Sequence, residues 1–460
     1  MISKQSLSSD AENVYFADGI AEDILNHLSR IKDLSVISRT TSEQFREKTL
    51  SAVEISRKLN VNYILEGSVQ QEEKKIHINI QFIDAKNDRH LWSEHYDRQL
   101  TDIFAIQSDI AKNVANELQF ILSPEEKQLI GKIPTKNTEA YNSYLMGRFH
   151  WNKRTPEAQQ KSVEYFEKAI TIDPGYALAY AGLADVILIS TFYSWNSPIE
   201  NYTEAKRLAL KALEIDNELA EAYTVLGGLL FWYEWDWEGA KDALTTALDL
   251  NPKLASAHHY YAQLMNILGE KEEARKHIEF AIQLDPYVPI YHIVNGICYY
   301  HEGKYQKSID AYMRGIELDS MMYFTSHRLF FLYYKLGDYF MAAESLRRSL
   351  ALVPETQWAA DEATRIYYKK GIEAVMRWWI ELEKTVREPI PYHVARLYLL
   401  LGQTDEALFW LKKGVESRKP PIPRINSDVF LDSLHAEEQF LSLIDTMGLT
   451  PYHKISRKKQ

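Results

Sequence analysis

The sequence predicts an α+β protein in which a small N-terminal α/β domain precedes an all-α superhelix of helical hairpins. Two observations predict this division. Turn signals recur at regular intervals through most of the chain, whereas the first part alternates between helical and strand-like patterns. The composition, 46% hydrophobic and 25% charged, is ordinary for globular proteins. A chain of 460 residues is too long for a single hydrophobic core, which favours several domains or a repeat array.

The repeat is visible in residue pairs that end one helix and open a turn. The pairs are Asp173-Pro174, Asp216-Asn217, Asn251-Pro252, Asp285-Pro286, Asp319-Ser320 and Val353-Pro354. After a longer first interval, the pairs recur about every 34 residues, which is the period of tetratricopeptide repeats.

Small residues recur where the two helices of each hairpin should cross. A close crossing requires small side chains, and three consecutive repeats have a small residue at all three sites. Phe330 breaks the pattern in the following repeat. The sequence therefore resembles the tetratricopeptide repeat family over roughly 310 residues. The small sites are Gly228, Ala240 and Ala247, then Ala262, Ala274 and Ala281, then Gly296, Ser308 and Gly315.

The period places about eight hairpins between residues 138 and 420. We expect residues 1–122 to form the N-terminal domain, 123–137 a polar linker, 421–450 a C-terminal capping helix and 451–460 a disordered tail. The cap should pack through Val429 to Leu431, Leu434, Phe440 and Leu441. The hairpins should begin near Thr138, Tyr176, Leu219, Lys253, Tyr287, Met321, Glu355 and Pro389.

The N-terminal domain shows both helical and strand periodicity. Ile76, Ile78 and Ile80 alternate with polar residues, which predicts a half-buried strand. Helices are expected at Ala17 to Ile31, Ala52 to Leu59 and Asp102 to Ile121, and strands at Ser35 to Ser38, Val61 to Val69, Lys75 to Ile83 and His90 to Tyr96.

Five ordered segments carry a second resemblance, namely YFADGIAEDILNHLSRI, LSVISRTT, YILEGSVQ, HLWSEHYDR and DIFAIQSDIA. They resemble a family of bacterial α/β domains related to the N-terminal domain of TolB and to the flagellar protein FlgO. The family's opening strand corresponds here only to Ile2 to Leu7, which predicts a truncated first strand. The resemblance implies an association with upstream adenylate cyclase, protein kinase or winged-helix modules, the last as in CadC-like regulators.

The chemistry-bearing residues do not form a catalytic or metal-binding motif, so we expect neither an enzyme nor a cofactor. A formal net charge of -11 argues against nucleic-acid binding. Cys298 is the only cysteine, and adjacent His258 and His259 point in different directions on a helix, so we expect no metal site. The sequence contains no apolar run of membrane-spanning length, which predicts a cytoplasmic chain, or a periplasmic or membrane-tethered one if an upstream segment is missing.

The first helix of each regular hairpin should line a concave groove that binds a peptide or protein partner. The alternative for any of these residues is packing between hairpins. The cluster from Phe231 to Trp237 should be a contact patch or a cap on an insertion in the preceding repeat, because its rings cannot all lie in the core. The predicted groove residues are Val225, Leu229, Trp232, His259, Gln263, Asn266, Ile293, Ile297, Tyr300, Phe324, His327, Phe331 and Tyr334.

The groove makes a non-catalytic interaction scaffold or sensor module the leading functional hypothesis. The alternative is that the chain is the regulatory half of a bacterial signalling protein whose cyclase or winged-helix effector lies elsewhere. Chaperone-tail binding is disfavoured, because a carboxylate clamp needs Lys, Arg and Asn at groove positions and only Asn266 fits.

Overall fold

The computed structural model describes residues 11–45, 50–72, 75–153, 155–194, 199–386, 389–418 and 420–451. The expected first strand, Ile2 to Leu7, lies outside these residues. So do nine of the ten residues assigned to the C-terminal tail and part of the expected insertion around Phe192 to Pro198.

A three-stranded antiparallel sheet with strand order β1-β2-β3 forms the centre of the N-terminal domain. Ile76, Ile78 and Ile80 are buried, as their alternation predicts. Helices α1 and α4 pack on each other and against the sheet. The elements are α1 (Ala11–Ser29), α2 (Arg39–Glu43), α3 (Ala52–Leu59), β1 (Tyr63–Glu72), β2 (Lys75–Asp84), β3 (Arg89–Gln99) and α4 (Ile103–Glu117).

The predicted strand at Ser35 to Ser38 is wrong, because these residues adopt no regular structure. The ammonium group of Lys253, which belongs to the helical array, reaches the preceding loop. It donates to the backbone carbonyls of Ile31 at 3.0 Å and Leu34 at 2.7 Å. Ser38, the last residue of the predicted strand, instead caps α2, because its side-chain oxygen accepts a hydrogen bond from the Thr41 backbone N–H at 3.4 Å.

Gly67 allows β1 to lie close to β2. A Cβ atom added at Gly67 would collide with the backbone carbonyl oxygen of Asn79, which cannot move without breaking the strand pairing. We therefore expect Gly67→Ala to lower the free energy of unfolding by about 2 kcal/mol or more, measured by urea denaturation. Gly175→Ala is the control, because its Cβ would meet only the Asp173 side chain at 3.3 Å. Equal losses in both variants would contradict this account.

Among the residues that the structure describes, eight pairs of consecutive helices follow α5 (Pro124–Ile130), a short helix within the expected polar linker. Each pair is joined by a short connection and packs along its length, as expected for antiparallel neighbours. The pairs are α6 (Thr138–Asn152) with α7 (Pro156–Ile172), α8 (Ala177–Ser194) with α9 (Ile199–Ile215), α10 (Ala220–Leu229) with α11 (Trp237–Leu250), α12 (Ala255–Leu268) with α13 (Lys271–Leu284), α14 (Pro289–His301) with α15 (Tyr305–Leu318), α16 (Tyr323–Lys335) with α17 (Tyr339–Ala351), α18 (Ala360–Lys370) with α19 (Ile372–Val386), and α20 (Pro391–Leu400) with α21 (Thr404–Ser417).

The small residues lie where helices pack closely, within a hairpin or between hairpins. A Cβ on Gly296 would overlap the Tyr312 ring of the same hairpin, whereas a Cβ on the predicted Gly228 would meet the Tyr260 ring of the next hairpin at 3.0 Å. Ser308 donates from its hydroxyl to the carbonyl oxygen of Gly296 at 2.7 Å, so this crossing is also hydrogen-bonded. The sequence spacing therefore reflects direct contact between helices.

The C-terminal segment, residues 420–451, is not a single capping helix. It forms two 3-10 turns, Ile422–Asn426 and Val429–Ala436, and then α22 (Glu438–Thr446). Pro420, Pro421 and Pro423 remove backbone donors that a continuous helix would need. Of the predicted packing residues, Phe430, Leu431, Leu434 and Phe440 are buried.

Candidate interaction site on the inner face of the array

The predicted groove residues lie on the first helices of the hairpins and on the π-helical turn Leu230–Glu234, which follows α10. Eleven of the thirteen are buried, while Phe324 and Tyr334 are half-buried. The inner face is therefore covered by other parts of the same chain. Whether these residues bind an external partner stays a prediction.

Several of them pack between helices. Ile293 lies against Gly315 within its own hairpin. The Asn266 amide nitrogen donates to the Cys298 sulfur at 3.1 Å, which joins α12 to α14. The His327 ring lies 4.6 Å from the Trp379 ring, measured between centroids. For these residues the structure supports the alternative of packing between helices.

Four others, Trp232, Gln263, Tyr300 and Phe331, contact the C-terminal segment, which lies along the inner face. The main point of attachment is Asp428, whose carboxylate pairs with Arg396 at 3.1 Å between Nε and Oδ2. These side chains are 6% (Arg396) and 1% (Asp428) exposed. Tyr300 and Tyr392 donate from their hydroxyls to Asp428 at 2.8 and 2.6 Å, and the Phe430 backbone N–H donates at 3.0 Å.

The environment of Asp428 favours its charged form. Burial alone raises the pKa of this carboxyl, but the Arg396 charge and the hydrogen bonds it accepts outweigh burial and hold the pKa below its usual value. Both carboxylate oxygens of Asp428 also accept hydrogen bonds, as a favourable buried ion pair requires, although Nε of Arg396 itself lies in ion-pair range without hydrogen-bond geometry. Asp428 is therefore a charged anchor for the C-terminal segment.

Aromatic rings complete the attachment. The Phe430 ring stacks on Tyr300 at 5.9 Å and meets Phe331 edge-on at 5.7 Å, measured between ring centroids. The Arg396 guanidinium lies 3.6 Å from the centroid of Phe331, in cation–π geometry. Two residues of the segment, Asp428 and Phe430, thus fill one polar and one aromatic position of the inner face.

Arg424 makes a separate contact at the 3-10 turn before Asp428. Its guanidinium lies 5.0 Å from the centroid of the Trp232 ring, and its Nη2 donates to the Gln263 side-chain oxygen at 3.5 Å, a long hydrogen bond. Burial lowers the pKa of Arg424 to about 9, and the nearby Arg328 charge contributes to the same effect.

The expectation that the rings between Phe231 and Trp237 cannot all be buried is wrong. Five aromatic residues of this cluster are buried. The C-terminal part of the chain supplies the cover, because the Trp237 indole nitrogen donates to the Met447 carbonyl at 2.8 Å and the Arg418 guanidinium lies 4.6 Å from the Trp235 ring centroid. Tyr202 of the preceding repeat stacks on Tyr233. This burial depends on contacts between distant parts of the chain, which local pattern reading does not detect.

The N-terminal domain docks firmly on the array through α1 and α6. Asp23 of α1 accepts a short hydrogen bond from the hydroxyl of Tyr141. Arg148 pairs with Glu22 through an Nε hydrogen bond of 3.1 Å. Burial raises the pKa of Asp23 to about 7. A second contact joins Thr41 of the domain to Asp285, whose pKa burial raises to about 6.

The histidines and the cysteine have ordinary structural environments. His258 Nδ1 lies 2.9 Å from His277 Nδ1, whereas the neighbouring His259 contacts Gln263. Burial raises the pKa of the Cys298 thiol to about 12, so the thiol is protonated at neutral pH. Within the described ranges, no group of three or more His, Cys, Asp or Glu side chains is arranged to hold a metal ion.

Arg396, Tyr392, Arg424 and Asp428 were absent from the predicted groove. One local signal was available, because Arg396 interrupts the apolar run Val394, Ala395, Leu397 of a first helix, where charge is costly unless it is paired. The partner of Arg396 lies beyond the next helix, α21, in a segment that the sequence assigns to a cap. Local sequence patterns cannot identify an ion-pair partner that lies so far along the chain.

The described residues thus form a helical-repeat array of paired antiparallel helices, preceded by a small N-terminal domain built on a three-stranded antiparallel sheet. None of the helices that the structure describes combines the length and apolar character needed to cross a bilayer.

Residues 8–113 match the family model of the second domain of HilA/YgeH-like transcriptional regulators. Over 228 residues the chain is 35% identical to "Putative adenylate cyclase 3" of Rhizobium meliloti, covering 49% of this chain and 39% of the relative. Over 165 residues it is 28% identical to "Transcriptional regulator HilA" of Salmonella typhimurium, covering 35% of this chain and 29% of the relative. The chain therefore spans well under half the length of these relatives. The TolB and FlgO resemblance stays a hypothesis.

Solved structures with similar helical arrays include a human IFIT1 dimer with m7Gppp-AAAA and the pilF protein of Pseudomonas aeruginosa. The first is 14% identical with a TM-score of 0.44, covering 68% of this chain and 77% of that one. The second is 17% identical with a TM-score of 0.36, covering 50% of this chain and 97% of that one.

Proposed function

We propose that the chain is a non-catalytic interaction and sensor module whose inner face binds peptide segments. One observation carries this proposal. The inner face already holds a peptide-like segment, residues 422–436, through the Arg396–Asp428 ion pair, two tyrosine hydroxyls and the stacked Phe430 ring. Such a combination of an aromatic anchor with a desolvated charge pair is typical of binding hot spots.

The segment would then act as an internal ligand that competes with external ones. Because it is tethered to the array, its effective concentration is on the order of millimolar, so a partner must bind tightly or act when the segment is weakened. Partner binding by the predicted groove residues would accordingly require displacement of residues 422–436.

A labelled peptide covering residues 420–436 tests the proposal. We expect it to bind the full-length Asp428→Asn variant, whose own segment is weakened, at least about tenfold more tightly than it binds the wild-type chain. Fluorescence anisotropy measures both affinities, and circular dichroism checks that the variant keeps its helices. The matched control is the same peptide with Asn in place of Asp428, which lacks the charge that Arg396 recognises.

Equal binding of the two peptides, or no binding by the folded variant, would show that the inner face is only a structural support for its own C-terminus. The proposal of a peptide-binding face would then be abandoned.

A second candidate function is the regulatory part of a larger signalling system. It is supported by the match of residues 8–113 to a domain of HilA/YgeH-like regulators and by the relative named as a putative adenylate cyclase. The firm docking of α1 on α6 would allow the array to pass a binding signal to the N-terminal domain. Co-purification of the chain with a cyclase or winged-helix polypeptide from the source cells would favour this function.

A further inference from the structure

Two side chains of the inner face each contact both Asp428 and Phe430 of the C-terminal segment. The Tyr300 hydroxyl donates to the Asp428 carboxylate at 2.8 Å, while the Tyr300 ring stacks on Phe430 at 5.9 Å between centroids. Arg396 pairs with Asp428 at 3.1 Å, and its guanidinium lies 4.8 Å from the centroid of the Phe430 ring. Because the same two side chains hold the carboxylate and the ring, they fix the spacing between these two groups of the bound segment.

The backbone of the segment sets the same spacing from within. The Asp428 carboxylate accepts a hydrogen bond from the backbone N–H of Phe430, two residues later, at 3.0 Å. The Asp428 backbone carbonyl accepts from the Leu431 N–H at 2.8 Å, which closes the first turn of the 3-10 helix Val429–Ala436. Aspartate is favoured at such a position because its short side chain reaches the backbone N–H two residues on. The turn therefore presents the carboxylate and the aromatic ring to the inner face together.

The two positions are buried, and each one suits a particular chemical group. The Asp428 side chain is 1% exposed, and the carboxylate oxygen that faces Arg396 also accepts from the Tyr392 hydroxyl at 2.6 Å. A neutral side chain there would leave a buried guanidinium without its counter-charge. The Phe430 and Phe331 rings lie edge to face, 5.7 Å apart between centroids, and an aliphatic side chain does not reproduce this arrangement.

We infer that the external ligands of the inner face are peptide segments that carry an aspartate two residues before an aromatic residue and bind as a 3-10 turn. This inference rests on the proposed function and names the ligand that the face selects. Glutamate does not fit, because its carboxylate is one C–C bond, about 1.5 Å, farther from the backbone and would have to shift the turn to reach Arg396. The face thus recognises a side-chain carboxylate within a peptide and needs no free C-terminus.

Four labelled peptides of residues 420–436 test the inference on the full-length Asp428→Asn chain by fluorescence anisotropy. One has the native sequence. In the second, Val429→Phe and Phe430→Val exchange two neighbours, so composition and charge are unchanged but the ring moves by one position. The third carries Asp428→Glu, and the fourth, the control, carries Asp432→Asn at an exposed position. We expect the second and third to bind at least about tenfold more weakly than the native peptide, and the control to bind within about threefold of it.

Adding Arg396→Met to the receptor chain identifies the side chain that recognises the aspartate. The native peptide should bind the Asp428→Asn chain at least about tenfold more tightly than the peptide with Asn in place of Asp428. This advantage should fall below about twofold once the guanidinium is removed, because the coupling between two contacting groups is lost with either of them. The full-length Phe430→Ala chain, which keeps the ion pair, is a second receptor, so the comparison does not depend on the folding of Asp428→Asn.

The outcomes separate this inference from the proposed function. If the native peptide and the exchanged peptide bound equally, or if the Asp428→Glu peptide bound as tightly as the native one, the aspartate–aromatic motif would be overturned and a less selective peptide-binding face would remain. Binding of no peptide by either folded receptor would overturn the proposed function, and this inference with it.

Discussion

Asp428→Asn is expected to lower the free energy of unfolding by about 3 to 5 kcal/mol, which is the usual loss when one partner of a buried ion pair is removed. The asparagine keeps the shape of the side chain, but its single amide oxygen can replace only one of the two carboxylate oxygens that accept from Tyr300 and Tyr392. It leaves the Arg396 guanidinium, which is 6% exposed, without its counter-charge. Urea denaturation followed by circular dichroism measures the loss, and hydrogen exchange should show residues 422–436 opening first.

Two further variants separate the charge effect from a general effect of substitution. Asp432→Asn, in the same 3-10 turn as Phe430 and exposed, should not reduce stability. Adding Arg396→Met to Asp428→Asn removes the orphaned charge while keeping an apolar contact with Phe331, so the double variant should be more stable than Asp428→Asn alone. Additive losses in the double variant would mean that the ion pair does not fasten the segment.

The helical array could be predicted from the sequence because the contacts that define it join residues close together in the chain. The regular repeat spacing and the small residues, such as Gly296 beneath Tyr312, reflect contacts within one hairpin or between adjacent hairpins. The alternation around Ile78 likewise predicted its strand, because only neighbouring residues decide which face is buried.

The sequence did not predict that the C-terminal segment covers the inner face, because this arrangement depends on contacts between distant segments. The indole of Trp237 and the carbonyl of Met447 are 210 residues apart, and Arg424 and Gln263 are 161 apart. A groove position and a core position share the same residue types, so Tyr300 reads equally well as either. Only the path of residues 420–451 decides between them.

Asp23→Asn is expected to change how stability depends on pH, since Asp23 lies in the buried junction between α1 and the array. Its carboxyl is surrounded by Glu22, Arg148, Gln107 and Tyr141. Burial raises its pKa from 3.8 to about 7. The folded protein therefore keeps a proton that the unfolded chain has released.

Because the folded carboxyl holds its proton more tightly than the unfolded one, Asp23 makes stability fall as the pH rises. The contribution of Asp23 to stability is fully present below pH 3.8 and is lost as the pH rises to about 7, where the folded carboxyl also ionises. A pKa difference of this size corresponds to a loss of about 4 kcal/mol as an upper value. Asparagine stays neutral at every pH. The melting temperature of the variant should therefore rise relative to that of the wild type as the pH increases from 5 to 7, and the difference should persist at pH 8.

Thermal unfolding of both chains across this pH range measures the difference. Subtracting the wild-type melting curve from that of the variant removes the contributions of other titrating groups. One is Asp285, whose pKa is also raised, and another is His301, whose lowered pKa makes stability rise with pH. Asp242→Asn, on the exposed side of α11, should run parallel to the wild type. If Asp23→Asn also ran parallel, Asp23 would be ionised in the folded protein. The α1–α6 junction would then be held by charge pairing with Arg148 and not by a neutral hydrogen bond.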